Sequence, residues 1–78
     1  MENTPKINTI SIIGGTGALG SGLAARWARA GYRIVIGSRQ AEKAETAAAA
    51  LRAALPDASI DGAQNRTAAE TGDIAVLT

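Results

Sequence analysis

The chain has 78 residues, no Cys, no His, a formal net charge of +1 and 46% hydrophobic content. There is room for one small core, and disulfides, thiolate chemistry and histidine acid–base or metal chemistry are excluded. Nothing in the charge marks a nucleic-acid or membrane-surface partner, and no apolar run approaches the ~20 residues that cross a bilayer.

Met1 to Lys6 is polar, contains Pro5 and lacks the apolar stretch of a secretory signal. A cytoplasmic α/β protein, or a piece of one, is the simplest expectation. Ile7 to Ile13 is β-branched and runs into a glycine cluster, which predicts a strand. Gly14 to Gly20 is a glycine-rich turn. From Ala18 to Ala30, Leu19, Leu23 and Trp27 recur every four residues, the spacing of one helix face. Leu19 is expected to tuck under the helix start, Trp27 to pack in the core, and Gly22 to mark close packing. Gly31 stands where a helix-ending glycine belongs. Tyr32 to Ile36 predicts a second strand closed by Gly37.

Ala41 to Leu55 predicts a second helix, with Ala44, Ala47, Ala48, Leu51 and Leu55 on one stripe and Pro56 as its stop. Its run of alanines, Ala47 to Ala50, favours helix and lets it approach a sheet closely. Ser59 to Gly62 reads as a short third strand. Asn65 to Glu70 reads as a helical turn capped by Asn65. Asp73 to Thr78 is apolar enough for a buried fourth strand. Asp57, Asp61 and Asp73 fall at turns and strand edges, and no carboxylate pair has acid–base spacing. The alternation βαβαβ plus a further α–β step predicts a parallel, doubly wound sheet of Rossmann type, ordered 3-2-1-4.

The segment Gly15-Thr16-Gly17-Ala18-Leu19-Gly20 is G-x-G-x-x-G, following a strand and opening a helix in a βαβ unit of about 30 residues. In that setting Gly15 permits the tight turn, Gly17 lets the backbone approach a pyrophosphate, and Gly20 lets helix and strand pack closely. The unbonded N–H groups and the positive dipole end of the helix then hold the anion. A small-molecule dinucleotide is therefore the expected ligand, and a glycine turn that serves packing alone is the competing reading. Sites for NAD place a carboxylate at the end of the second strand. This chain has Gly37, Ser38 and Arg39 there, with Lys43 one turn into the next helix. Without a carboxylate to repel it, a 2′-phosphate can pair with Arg39 and Lys43, which selects NADP. The alternative is that Ser38 caps the helix and that Arg39 and Lys43 share a solvated face with Glu42 and Glu45.

Taken together, Ile13 to Ala24, Ile36-Gly-Ser-Arg39, Glu42-Lys-Ala-Glu45 and Asp73 to Thr78 resemble the NADPH-dependent F-420 (8-hydroxy-5-deazaflavin) reductases. The resemblance runs from about Ile7 to Thr78. It implies an oxidoreductase that passes hydride between NADPH and a deazaflavin coenzyme. Thr16 and Leu19 would belong to its pyrophosphate turn, and Ser38, Arg39 and Lys43 to its 2′-phosphate site. Because both hydride partners are cofactors, no dedicated catalytic acid or base is expected, and none is assigned.

Members of that family are well over twice this length and build the deazaflavin pocket largely beyond the strand ending at Thr78. Residues 1–78 are accordingly expected to form an NADP-binding domain incomplete at its carboxyl end. The unpaired edge of the last strand makes a homo-oligomer a further expectation. Two other functions stay open: a non-catalytic NADP-binding or redox-sensing module, and another NADP-dependent reductase of the pyrroline-5-carboxylate-reductase type.

Overall fold

The computed structural model describes residues 7–78, so the polar lead-in from Met1 to Lys6 lies outside the described residues. Seven elements follow in order: β1 (Thr9–Ile13), α1 (Ala18–Arg29), β2 (Arg33–Ser38), α2 (Ala41–Ala54), β3 (Ile60–Gln64), α3 (Asn65–Thr71) and β4 (Ile74–Leu77). The strands form one parallel sheet in the order β3-β2-β1-β4, as the alternation predicts.

Strand periodicity divides the core between the two sheet faces. Ile10 and Ile12 of β1, Ile34 and Ile36 of β2 and Ile60 of β3 point to one side, where Ala24 and Ala28 of α1 and Ala48 of α2 cover them. Leu23, Trp27 and Leu51 close the margins of this cluster. On the other side, Ser11 and Gly37 lie against α3, and the Ser11 hydroxyl donates to the Ala68 carbonyl. Small residues on both layers let the helices sit close. Ala44 of α2 is fully buried over Gly62 of β3, so the alanine stripe acts as the sequence implies. Gly31 ends α1 with φ +102° and donates its N–H to the Ala28 carbonyl at 3.0 Å.

Several expectations change. The buried face of α1 is Gly20, Ala24 and Ala28, one residue out of phase with the leucine stripe. Leu19 is therefore 68% exposed instead of tucked under the helix start. Gly22 is exposed, and a Cβ there would meet open space, so close packing does not explain it. Strand β1 begins at Thr9 rather than Ile7. Strand β2 runs through Gly37 and Ser38 because these pair with Ala63 and Gln64 of β3. Helix α3 is capped at Gln64, and Asn65 is its first helical residue. Within the described residues the fourth strand is exposed: Ile74 is 44% and Leu77 81% accessible, with β4 at the edge of the four described strands.

Asp73 joins the starts of β1 and β4. Its Oδ2 accepts the N–H groups of Thr9 and Asn8, each at 2.9 Å. These two bonds, that from Thr9 first, hold its carboxyl below the usual value of 3.8. Across β2 and β3, Arg33 pairs with Asp61 at 3.1 Å. No described helix is long and apolar enough to cross a membrane.

Candidate functional site

All four strands point their carboxyl ends at one cleft of about 480 Å³. Ile13, Leu77 and Thr78 line it from the ends of β1 and β4, Ser38 to Gln40 from the β2–α2 link, and Asn65 from the end of β3. Gly14 and Thr16 of the glycine turn and Lys43 of α2 complete its wall. This is where a doubly wound sheet reverses direction and opens a crevice for ligands.

The glycine turn is anchored from below. The N–H groups of Gly14 and Gly15 both donate to the Gly37 carbonyl, at 2.9 and 3.1 Å. The left-handed residue that makes the turn is Gly14, at φ +75°, and not Gly15 as the motif alone implies. Gly15 is needed for closeness instead. A Cβ on it would lie 2.9 Å from Ile12 Cγ2, and one on Gly20 would lie 2.5 Å from the Gly15 Cα. Helix α1 thus rests directly on the end of β1, the packing expected of the third motif glycine. Gly17 is open to solvent, with nothing within 4 Å of a would-be Cβ.

With the Gly15 amide occupied, the unbonded donors lie further along. The first intrahelical bond of α1 runs from the Ser21 N–H to the Gly17 carbonyl at 2.9 Å. The amides of Ala18, Leu19 and Gly20 therefore precede the helical ladder. No side chain caps α1, and its first turn carries no acid. Both are features of a helix start that leaves its donors for an external anion.

The cations stand beside it. Among the described residues neither Arg39 nor Lys43 makes an ion pair, whereas Glu45 is taken by Arg52. Arg39, Glu42, Lys43 and Glu45 are all exposed, so these side chains do share a solvated face, one on which the two cations carry no carboxylate partner among the described residues. Ser38 is nearly buried, and its Oγ accepts the Gln40 N–H at 3.3 Å. That bond leaves the Ser38 hydroxyl proton to donate elsewhere. Ser38 does not cap α2, whose cap residue is Gln40, without a side-chain bond.

Of the residues singled out in the sequence, Thr16, Ser38, Arg39 and Lys43 meet at the cleft. Gly15 and Gly20 lie beneath it as packing residues. Gly17 and Ala18 form the exposed turn-to-helix step, and Leu19 points into solvent outside the cleft. Sequence reasoning missed Gly14, Gln40, Asn65 and Thr78. The Thr78 hydroxyl lies 3.0 Å from the carbonyl oxygens of both Ile13 and Gly14, which joins the end of β4 to the turn. The only signal available for these residues was position, since each follows the carboxyl end of a strand.

A parallel sheet, a strand–glycine turn–helix unit and a cleft at the strands' carboxyl ends define an α/β protein of the Rossmann class. A short-chain dehydrogenase from Rhodopseudomonas palustris shares this fold, with a TM-score of 0.66 at 19% identity, over 95% of this chain and 41% of that one. Residues 9–78 match the family described as NADP oxidoreductase, coenzyme F420-dependent, and the chain belongs to that family. The F420-dependent NADP reductase of Methanothermobacter thermautotrophicus is 51% identical over 71 residues, covering 88% of this chain and 31% of that protein. That of Methanocaldococcus jannaschii is 46% identical over 72 residues, covering 87% and 32%. The chain therefore spans about a third of the length of the curated relatives it matches.

Proposed function

We propose that this chain is the NADP-binding part of an oxidoreductase that moves hydride between NADPH and a deazaflavin coenzyme, F420. The observation that carries the reading is Arg39 and Lys43, unpaired among the described residues and beside Ser38, at a cleft whose wall includes Gly14 and Thr16 of the turn leading into the uncapped start of α1. That donor set fits NADP: two cations and a hydroxyl for a 2′-phosphate, and helix-start amides for a pyrophosphate. The names of the relatives, F420-dependent NADP reductases, agree with it.

When bound, NADP(H) would carry the hydride on its nicotinamide, giving or taking it. The chain's own residues bind and orient. Ala18, Leu19 and Gly20 offer the amides that would hold the diphosphate, while Gly15 and Gly20 keep the turn close to the sheet. Ser38, Arg39 and Lys43 fix the adenosine end, which sets how far the other end of the dinucleotide reaches across the strands' carboxyl ends. No described residue is assigned an acid or base role, because hydride transfer between two cofactors is served by orientation.

Calorimetric titration with NADP and with NAD tests the cofactor. Tighter binding of NADP, lost in Arg39→Ala, supports the reading, and a preference for NAD overturns it. NADPH-dependent reduction of F420 by the protein that carries this chain tests the reaction. NADP binding without hydride transfer would favour a non-catalytic binding module.

A further inference from the structure

Asn65 is the first residue after β3, and its side chain crosses the end of β2 to reach the end of β1. The crossing depends on Gly37, where a Cβ would lie 2.8 Å from Asn65 Oδ1 and 3.0 Å from Ala68 Cβ. Beyond it, the Gly14 N–H donates to Asn65 Oδ1 at 3.3 Å while also donating to the Gly37 carbonyl at 2.9 Å. A donor partner identifies that end of the carboxamide as oxygen. The two Nδ2 protons then have no protein acceptor among the described residues, since the Gly14 bond is the side chain's one hydrogen bond there. Asn65 is half-buried and lines the same cleft as Ser38, Arg39 and Lys43. It is not spent on capping α3, whose cap residue is Gln64. A carboxamide that ties down the ligand-facing turn with its oxygen, and presents two donors to the cleft, is built to read an acceptor there.

We propose that Asn65 couples the glycine turn to the dinucleotide. Its Oδ1 holds the turn at Gly14, and its Nδ2 donates to an oxygen of the adenosine half of NADP, the half that Arg39 and Lys43 address. This role rests on the NADP reading above.

The test compares Asn65→Asp with the parent 78-residue chain by thermal melting and by calorimetric titration with NADP, at low salt and at ~1 M salt. Aspartate keeps an oxygen for the Gly14 N–H and removes both donors, so melting stays near that of the parent. Affinity for NADP falls about tenfold. At ~1 M salt the Debye length is ~3 Å and the repulsion from the added charge is screened, whereas the loss from the missing donors persists. Equal affinity of variant and parent at high salt would show that the side chain serves only the turn, and overturns the inference. A second readout needs no variant: NADP shifts the Asn65 side-chain N–H resonances of the parent chain, and resonances that stay in place overturn it as well. A parent chain that melts cooperatively but binds no NADP refutes the proposed function itself, and this role with it.

Discussion

Replacing Arg39 with alanine separates recognition from folding. The side chain is exposed, forms no ion pair among the described residues, and caps nothing. Its removal therefore takes no contact from the core, and the denaturant midpoint should stay within about 0.5 kcal/mol of the parent. Binding is different. A charge-assisted hydrogen bond contributes about 1.5–3 kcal/mol, and the exposure of this guanidinium places it near the lower figure. That is about a tenfold loss of affinity for NADP, with NAD binding unchanged because NAD has no 2′-phosphate to lose. The same substitution should flatten the salt dependence of NADP binding, since one fewer counter-charge is involved. Calorimetric titration of both dinucleotides at two salt concentrations reads all three quantities. If Arg39→Ala weakens NADP and NAD equally, the side chain does not read the 2′-phosphate and the reasoning fails.

Gly20→Ala forces a Cβ to 2.5 Å from the Gly15 Cα, so the helix start must lift from β1. A loss of about 1–3 kcal/mol in denaturant unfolding is expected, and an unchanged midpoint would deny the close approach. Asp73 titrates below 3.8 in the folded chain and at its ordinary value when unfolded. The stability it contributes is therefore present above pH 3.8 and is lost as pH falls through the lowered folded value. Asp73→Asn should remove that part of the acid dependence, and parallel pH profiles for variant and parent would count against the two backbone bonds.

Sheet order and element sequence were legible because they follow from alternation and handedness, rules that need no side-chain detail. What the sequence could not resolve was phase and reach. Leu19, Leu23 and Trp27 look like the core face of α1, yet the inward face belongs to Gly20, Ala24 and Ala28, since the glycine contact between residues 15 and 20 sets the rotation of the helix. Only residues without bulk fit where α1 touches the sheet, so the larger side chains are turned to the flank. For β4, an apolar run by itself implies burial. Burial belongs to what packs beside a strand, and the four described strands leave β4 at the edge. Asn65 shows the limit for the site. As a residue type it reads as a helix cap, and only the absence of a side chain at Gly37 reveals that it reaches the glycine turn 51 positions earlier.

The cleft also breaks local helix rules in one direction. Helix α1 starts with no acid and no side-chain cap, and α2 starts with Lys43 in its first turn, where the dipole disfavours a cation. Glu42 offsets only part of this. A sequence shaped for helix stability alone would place a carboxylate at position 43. Lys43→Glu should therefore stabilise the chain by about 0.3–1 kcal/mol through the dipole. The same change puts a negative charge beside Arg39 on the cleft wall and should weaken NADP binding by more than tenfold at low salt. Opposite signs in unfolding and in titration are the signature of a site that holds its charges for a ligand rather than for the fold. A variant that loses stability and affinity together would show that Lys43 supports the fold, and the cleft would then have no claim to a 2′-phosphate from that side chain.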